Sequence, residues 1–360
     1  MGGRTLDKQE KRSGLTLCIL ALLLIALIFV SFLLGRYPVS PAALLGVLVH
    51  RLLRGLGDLI SPLLPAAGTW GLTPFWDGNM EAVAWNIRLP RILLSCLVGC
   101  CLSTAGASFQ GVFQNPMASP DILGATNGAA FGAALAILLG GSSQLITLSA
   151  FVFSILTVAA AFLISRIAGG KRVLTLVLAG IMVGSLFSAG TSYIKLVADH
   201  TNQLPEITYW LMGSLSGARW QEVGLAVIPM ALGLAPLLLL RWRVNVLTLG
   251  DDEARTMGVN AGRVRLIVIL CATLITAASV AVSGMIGWVG LVIPHLSRKL
   301  VGNDYRFLLP ASMLFGAAFL LAVDDVSRNL LALEIPIGIL TAFVGAPFFI
   351  WLITRKGDAF

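Results

Sequence analysis

The sequence predicts an all-α polytopic membrane protein of about ten transmembrane helices, with both termini on the cytoplasmic side. Three observations carry this. The 360 residues are 57% hydrophobic and only 12% charged, where a soluble domain holds roughly 25% charged residues. Apolar stretches near the ~20 residues needed to cross hydrocarbon recur along the whole chain. Lys and Arg gather between alternate stretches, as cytoplasmic loops require.

The first element follows Arg4, Lys8, Lys11 and Arg12 and runs from Leu15 to Leu34. It is longer than a signal-peptide core and no small-x-small site follows, so it reads as a retained first span behind a cytoplasmic tail, residues 1–14. Residues 35–87 form a long outer segment rich in Pro, Gly and Trp (Trp70, Trp76, Trp85), with an apolar patch, Leu44–Leu53, that predicts a short interfacial helix. Further spans are predicted at 91–113, 121–140, 145–167, 173–197, 221–241, 264–284, 289–301, 307–323 and 335–354. Together these make residues 15–355 one membrane domain. The stretch 289–301 is short and 284–294 is interrupted by glycines.

With the N-terminus inside, seventeen of the 25 Lys and Arg fall on cytoplasmic positions and eight outside. The net charge of +8 is thus a topology signal and calls for no nucleic acid. The outer exceptions include Arg88 and Arg91, which bracket Pro90, and Arg328. A positive charge outside needs a reason. It can snorkel to lipid phosphates or meet an acidic partner through charge-assisted hydrogen bonds. The inner loop 242–263 is polar: Leu249, Gly250, Asp251, Asp252, Glu253, Ala254, Arg255, then Gly258. Its acidic start suits the first turn of a short helix, and Gly258 suits a stop.

Other motifs describe a conduit. Ser283-Gly284-Met285-Ile286-Gly287-Trp288-Val289-Gly290 places three glycines in seven residues. Each weakens a helix by about 1 kcal/mol relative to Ala. Irregular backbone at membrane depth survives only where protein or a watery cavity covers it, so this segment reads either as pathway lining or as close packing. Gln110, Asn115 and Pro116 mark a tight inner turn that continues through Pro120 and Asp121. Gly106 precedes Pro116 by ten residues as Gly284 precedes Pro294, a faint internal repeat of the kind transporters show. Gly128/Gly132 and Gly180/Gly184 have the spacing of close helix packing. Cys18, Cys96, Cys100, Cys101 and Cys271 lie in apolar stretches without metal-ligand spacing and read as small buried hydrophobes. His50, His200 and His295 are scattered. No catalytic constellation, metal site or cofactor motif is predicted. There is no P-loop, and the spans hold almost no Asp, Glu or Lys at mid-depth for an ion relay.

Arg88-Leu89-Pro90-Arg91, the run from Gly106 to Gly124 with Asn115-Pro116, the segment from Gly284 to Arg298, and Glu334-x-Pro336-x-Gly338 with Gly345-x-Pro347-x-Phe349 together resemble the FecCD-type permeases. These are the membrane subunits of ATP-binding cassette (ABC) importers for iron-siderophore, haem and cobalamin. The resemblance implies ten spans per subunit in a bacterial inner membrane. A second permease subunit, the same chain or a paralogue, would complete a central pathway. Separate ATPase subunits would be coupled through Leu249, Gly250, Asp251, Asp252, Glu253, Ala254, Arg255 and Gly258. An extracytoplasmic substrate-binding protein would dock on Arg88, Arg91 and Arg328. Pathway and gating roles would fall to Gln110, Asn115, Pro116, Gly284, Gly287, Gly290 and Pro294. Siderophore-bound iron is the leading cargo, and the rival expectation is a secondary transporter or channel that needs no ATPase.

Overall fold

The computed structural model describes residues 2–62, 71, 73–168 and 172–354, with side chains placed from residue 10 onward except at 172, 352 and 353. Trp70, Lys171, Arg355 and Lys356, and the side chains of Arg4, Lys8 and Arg172, lie outside the described residues. The chain is all-helical over this range. In order come α1 (Gly2–Leu33), α2 (Pro41–Ile60), α3 (Gly78–Ala82), a π-helical turn (Val83–Arg88) and α4 (Leu89–Val112). A short turn of 3-10 helix (Pro120–Leu123) leads to α5 (Ala125–Leu138), α6 (Ser143–Ala168), α7 (Arg172–Val197), α8 (Gln203–Met212), α9 (Trp220–Leu247) and α10 (Asp251–Thr256). The chain continues as α11 (Ala261–Ser283), α12 (Val289–Val301), α13 (Tyr305–Asn329) and α14 (Ile337–Thr354).

Each apolar stretch predicted from the sequence coincides with one helix: α1, α4, α5, α6, α7, α9, α11, α12, α13 and α14. Among the described residues seven helices are long and apolar enough to cross a membrane, while α5 and the α14 stretch are shorter apolar helices. α12 has only 13 residues. The predicted end of the ninth stretch at 323 is corrected: α13 runs on to Asn329 and carries Asp324, Asp325 and Arg328 with it. Hydropathy stops at a charge, whereas the helix continues because those charges are buried against one another.

α4 and α11 stand at the centre. They are buried nearly all round, as expected of helices apolar on every face. α13, α11, α12 and α9 pack directly around α4. Close approach requires small residues. At Gly106 on α4 a Cβ would run into the Gly290 carbonyl of α12, so neither residue admits a side chain. Ser103 on α4 donates to the Ser312 carbonyl of α13 at 2.7 Å. The predicted packing glycines behave likewise: Gly128 and Gly132 of α5 sit against α6, and Gly180 and Gly184 of α7 sit against Ile122–Gly124.

The outer helices present apolar faces outward. α1 exposes Leu15, Ile19, Leu22 and Phe29, and α9 exposes Leu225, Leu232 and Leu239. Cys18 shares the outward face of α1, which corrects the expectation that every cysteine is buried. The outward face of α1 is itself apolar, so a small apolar residue on that helix need not be buried. α2 confirms a helix over the outer apolar patch. Ser40 caps it, accepting from the Ala43 amide at 3.2 Å. Its inner face packs Leu44 and Val47 against Phe32, Trp76 and Ile92, while Leu45, Leu52 and Leu59 remain exposed.

Candidate translocation site

The glycine-rich stretch is a true break in helical structure. α11 ends at Ser283, Gly284 turns the chain at φ 67°, and Trp288 opens α12 at φ 70°. A positive φ at an aromatic residue is uncommon and costs of order 1–3 kcal/mol. Trp288 is held by its ring, which packs on Gly345 and lies 6.3 Å from Phe349 of α14. A carbonyl freed at the break finds its partner in the turn after α8, and that turn is tied in its own right to the start of α14. The Ser214 amide donates to the Ser283 carbonyl at 2.8 Å, and the Ile337 amide donates to the Gly213 carbonyl at 2.8 Å. The turn after α8, the break and the start of α14 thus interlock, which is how irregular backbone persists at membrane depth.

Three cavities converge on this break. One of about 650 Å³ is lined by Met212, Met285, Gly287, Trp288, Gly338 and residues of α14. One of about 230 Å³ lies between Ser119–Asp121 and Ile286–Leu291. One of about 220 Å³ lies between Asp121, Thr126, Asn127 and Met285–Gly287. Gly287 borders all three, and nothing lies within 4 Å of where its Cβ would stand. A larger apolar groove of about 890 Å³ between α6, α9 and α11 lies on another part of the molecule and shares no residue with these.

The sequence-predicted pathway residues therefore separate. Gly284, Gly287 and Gly290 belong to the break and its cavities, with Gly290 seated under Pro120. Gln110 is buried elsewhere and accepts a hydrogen bond from the Arg298 guanidinium. Arg298 also reaches the Tyr305 hydroxyl. Asn115 closes the inner turn, accepting from the Met117 amide at 2.8 Å, and Pro116 is exposed on that turn. Pro294 is buried inside α12. Asp121 was read from sequence only as a helix-start residue. Its place in two of the cavities had no sequence signal, because it depends on which helices meet.

The stretch predicted from the sequence to couple to ATPase subunits forms α10. Gly250 precedes it at φ 126°, Gly258 follows at φ 74°, and the Val259 amide returns to the Ala254 carbonyl at 2.9 Å. Ala254 is fully buried and anchors the helix. Leu249 and Met257 stand exposed at its two ends, with Asp252 and Arg255 between them. Asp251 is tied back to Arg265 at 2.7 Å.

The three outer arginines are corrected in one respect: their charge is not presented outward. Arg88 donates to the Phe32 and Tyr37 carbonyls. Arg91 grips Asp324 through Nε (3.1 Å) and Nη2 (2.9 Å), and Glu334 through Nη1 (2.9 Å) and Nη2 (3.0 Å). Arg328 pairs with Asp325 and donates to Ser31. All three are buried. For Arg91 and Arg328 the reason is the extended α13, which brings Asp324 and Asp325 against them; Arg88 is held instead by the carbonyls at the end of α1 and just after it. Sequence reading treated the arginines singly. The signal it passed over is the Asp324-Asp325 pair three residues before Arg328.

These features can be set beside known proteins. The FecCD transport family matches residues 22–355. The chain belongs to that family. The molybdate import permease MolB of Haemophilus influenzae is 43% identical over 273 residues, covering 76% of this chain and 81% of that protein. The Fe(3+)-citrate import permease YfmE of Bacillus subtilis is 37% identical over 352 residues, covering 96% of each. A solved metal-chelate type ABC transporter, captured in an inward-facing conformation, superposes with a TM-score of 0.80 at 39% identity, covering 94% of this chain and 98% of that one. The protein is thus an ABC-type permease of the FecCD family, a multi-pass protein of the inner (plasma) membrane.

Proposed function

We propose that this chain forms the translocation pathway of an ATP-driven importer for a metal chelate, with siderophore-bound iron as the leading cargo. Ten spans cross the bilayer, N- and C-termini inside, and two permease subunits face each other across the pathway. The convergence of three cavities on the non-helical segment 284–288 carries this reading. A conduit needs backbone that can line space and rearrange, and Gly287 sits open to all three cavities. ATPase subunits would act on α10, whose exposed Leu249 and Met257 offer an apolar grip. Cargo among relatives varies, from molybdate in one to ferric citrate in another, so the iron chelate rests on the metal-chelate structural neighbour and on the uncharged α8 and α14 walls of the widest cavity. A binding protein would deliver cargo at the outer face. Arg88, Arg91 and Arg328 serve that face as a clasp beneath its surface, since Arg91 and Arg328 are already paired with carboxylates and Arg88 is held by backbone carbonyls.

Uptake of radiolabelled ferric siderophore into proteoliposomes tests the reading. Uptake is expected only with ATPase subunits and ATP, and is expected to fall at least tenfold in Gly287→Phe, whose side chain fills the cavities. Equal uptake by this chain without an ATPase would establish the channel or secondary-transporter reading instead.

A further inference from the structure

The three cavities around Gly287 share one ionisable side chain among the described residues. Asp121 lines two of them, and their other polar side chains are the neutral Ser119, Thr126, Asn127 and the Trp288 indole. Asp121 is placed rigidly. The turn that carries it is pinned on one side by Gly290 against Pro120 and on the other by Gly180 against Ile122 and Leu123, and Gly124 ends it at φ 78°. Its Oδ1 accepts from the Thr126 hydroxyl. Among the described residues no donor meets Oδ2, and the residue is exposed toward the open space. A fixed carboxylate in an apolar-walled cavity focuses its field and changes the local concentration of charged solutes by ten-fold or more.

From this juxtaposition we propose that Asp121 sets the sign of the pathway, making it selective for cargo of zero or positive net charge over oxyanions and polyanionic chelates. The proposal rests on the import reading above and narrows its substrate class. Among iron chelates it favours neutral or cationic complexes of the trishydroxamate kind over polycarboxylates and triscatecholates, whose complexes are anionic. Two copies of Asp121 would act together in a paired assembly.

The test reads charge selection without cargo. In the assembled transporter, with Cys18, Cys96, Cys100, Cys101 and Cys271 replaced by Ala, Asn127→Cys places a thiol on the wall of one shared cavity, and Ser119→Cys places one on the other. Each is labelled with a cationic (trimethylammonium) and an anionic (sulfonate) methanethiosulfonate. The cation-to-anion rate ratio, normalised to that of a free thiol in solution, is expected to exceed about tenfold. It should fall towards one when Asp121→Asn is added, a change that keeps an acceptor for Thr126. Ratios unchanged by Asp121→Asn at both positions would overturn the proposal, as would thiols that react with neither reagent. Labelling requires neither ATP nor substrate, so a failure here is distinct from a failure of uptake, which would instead count against the import reading.

Discussion

At the residue scale, Arg91 shows how a charge becomes structural. Five hydrogen bonds to two carboxylates tie α4 to α13 and to the strap before α14. Removing one partner of a buried pair leaves the other uncompensated and costs about 3–5 kcal/mol. Asp324→Ala should therefore lower the thermal stability of the detergent-solubilised protein severely. Glu334→Gln should cost far less, because that carboxylate is 31% exposed and water can replace it. Arg91→Lys should not preserve the clasp, since an ammonium lacks the planar fork that holds two carboxylates. A second contrast separates architecture from function at the break. Gly284→Ala forces a side chain into φ 67° and toward the Trp210 carbonyl, so it should destabilise by at least ~1–2 kcal/mol. Gly287→Ala meets open space and should leave the melting temperature within a degree or two. Equal losses at both positions would show that the space at Gly287 is needed for folding.

At the element scale, the start of α13 makes a pH prediction. Asp304 caps the helix, accepting from the Arg306 amide (2.9 Å) and from Asn245 (2.6 Å), and its Oδ2 receives the Arg306 guanidinium at 2.8 Å. Burial pushes its carboxyl up, but the hydrogen bonds from Arg306 and Asn245 and the Arg306 charge outweigh this and hold it below the usual carboxylate range. A carboxyl depressed on folding contributes stability above its unfolded pKa, and that contribution is lost as pH falls through the folded one. Asp304→Asn, which retains a cap acceptor but not the charge, should lower stability at neutral pH and flatten the acid limb, so that variant and parent converge at strongly acid pH. A melting-temperature profile from neutral to strongly acid pH measures it. α10 makes a different prediction. Its Asp252 and Arg255 point outward and hold nothing in place, so reversing Asp252 to Lys should spare stability while reducing ATP-driven uptake. An unchanged uptake rate would remove α10 from the coupling surface.

At the scale of the whole molecule, burial sorts the helices. α4 and α11 are central, whereas α1, α6, α7 and α9 present leucine-rich faces outward. Every apolar stretch could be found from length and hydropathy because lipid imposes the same demand on each. The ends were harder. α13 extended past its predicted limit through Asp324 and Arg328, whose polarity is cancelled by pairing that no one-dimensional profile contains. The short turn Pro120–Leu123 overlaps the start of a predicted span, because Pro120 and the turn's contacts with Gly290 and Gly180 replace the first turn of α5. Of the candidate pathway, the glycine break was legible, since glycine's backbone cost is a property of the residue itself. That Gly287 and Asp121 share cavities, and that Gln110, Asn115 and Pro116 stand apart from them, was not, since those relations join distant parts of the chain.

The amino-acid order alone determined the apolar solvent, the helical class and the family motifs that make this chain an ABC-type permease, because these follow from hydropathy, periodicity and local residue types. The tertiary structure alone decided which charges are free. Arg88, Arg91 and Arg328 look like outward arms in the sequence and are internal clasps in the fold, while Asp121 looks like a helix start and stands at the cavities. Charge is written locally, but its partner is chosen by packing, and packing brings together residues hundreds of positions apart.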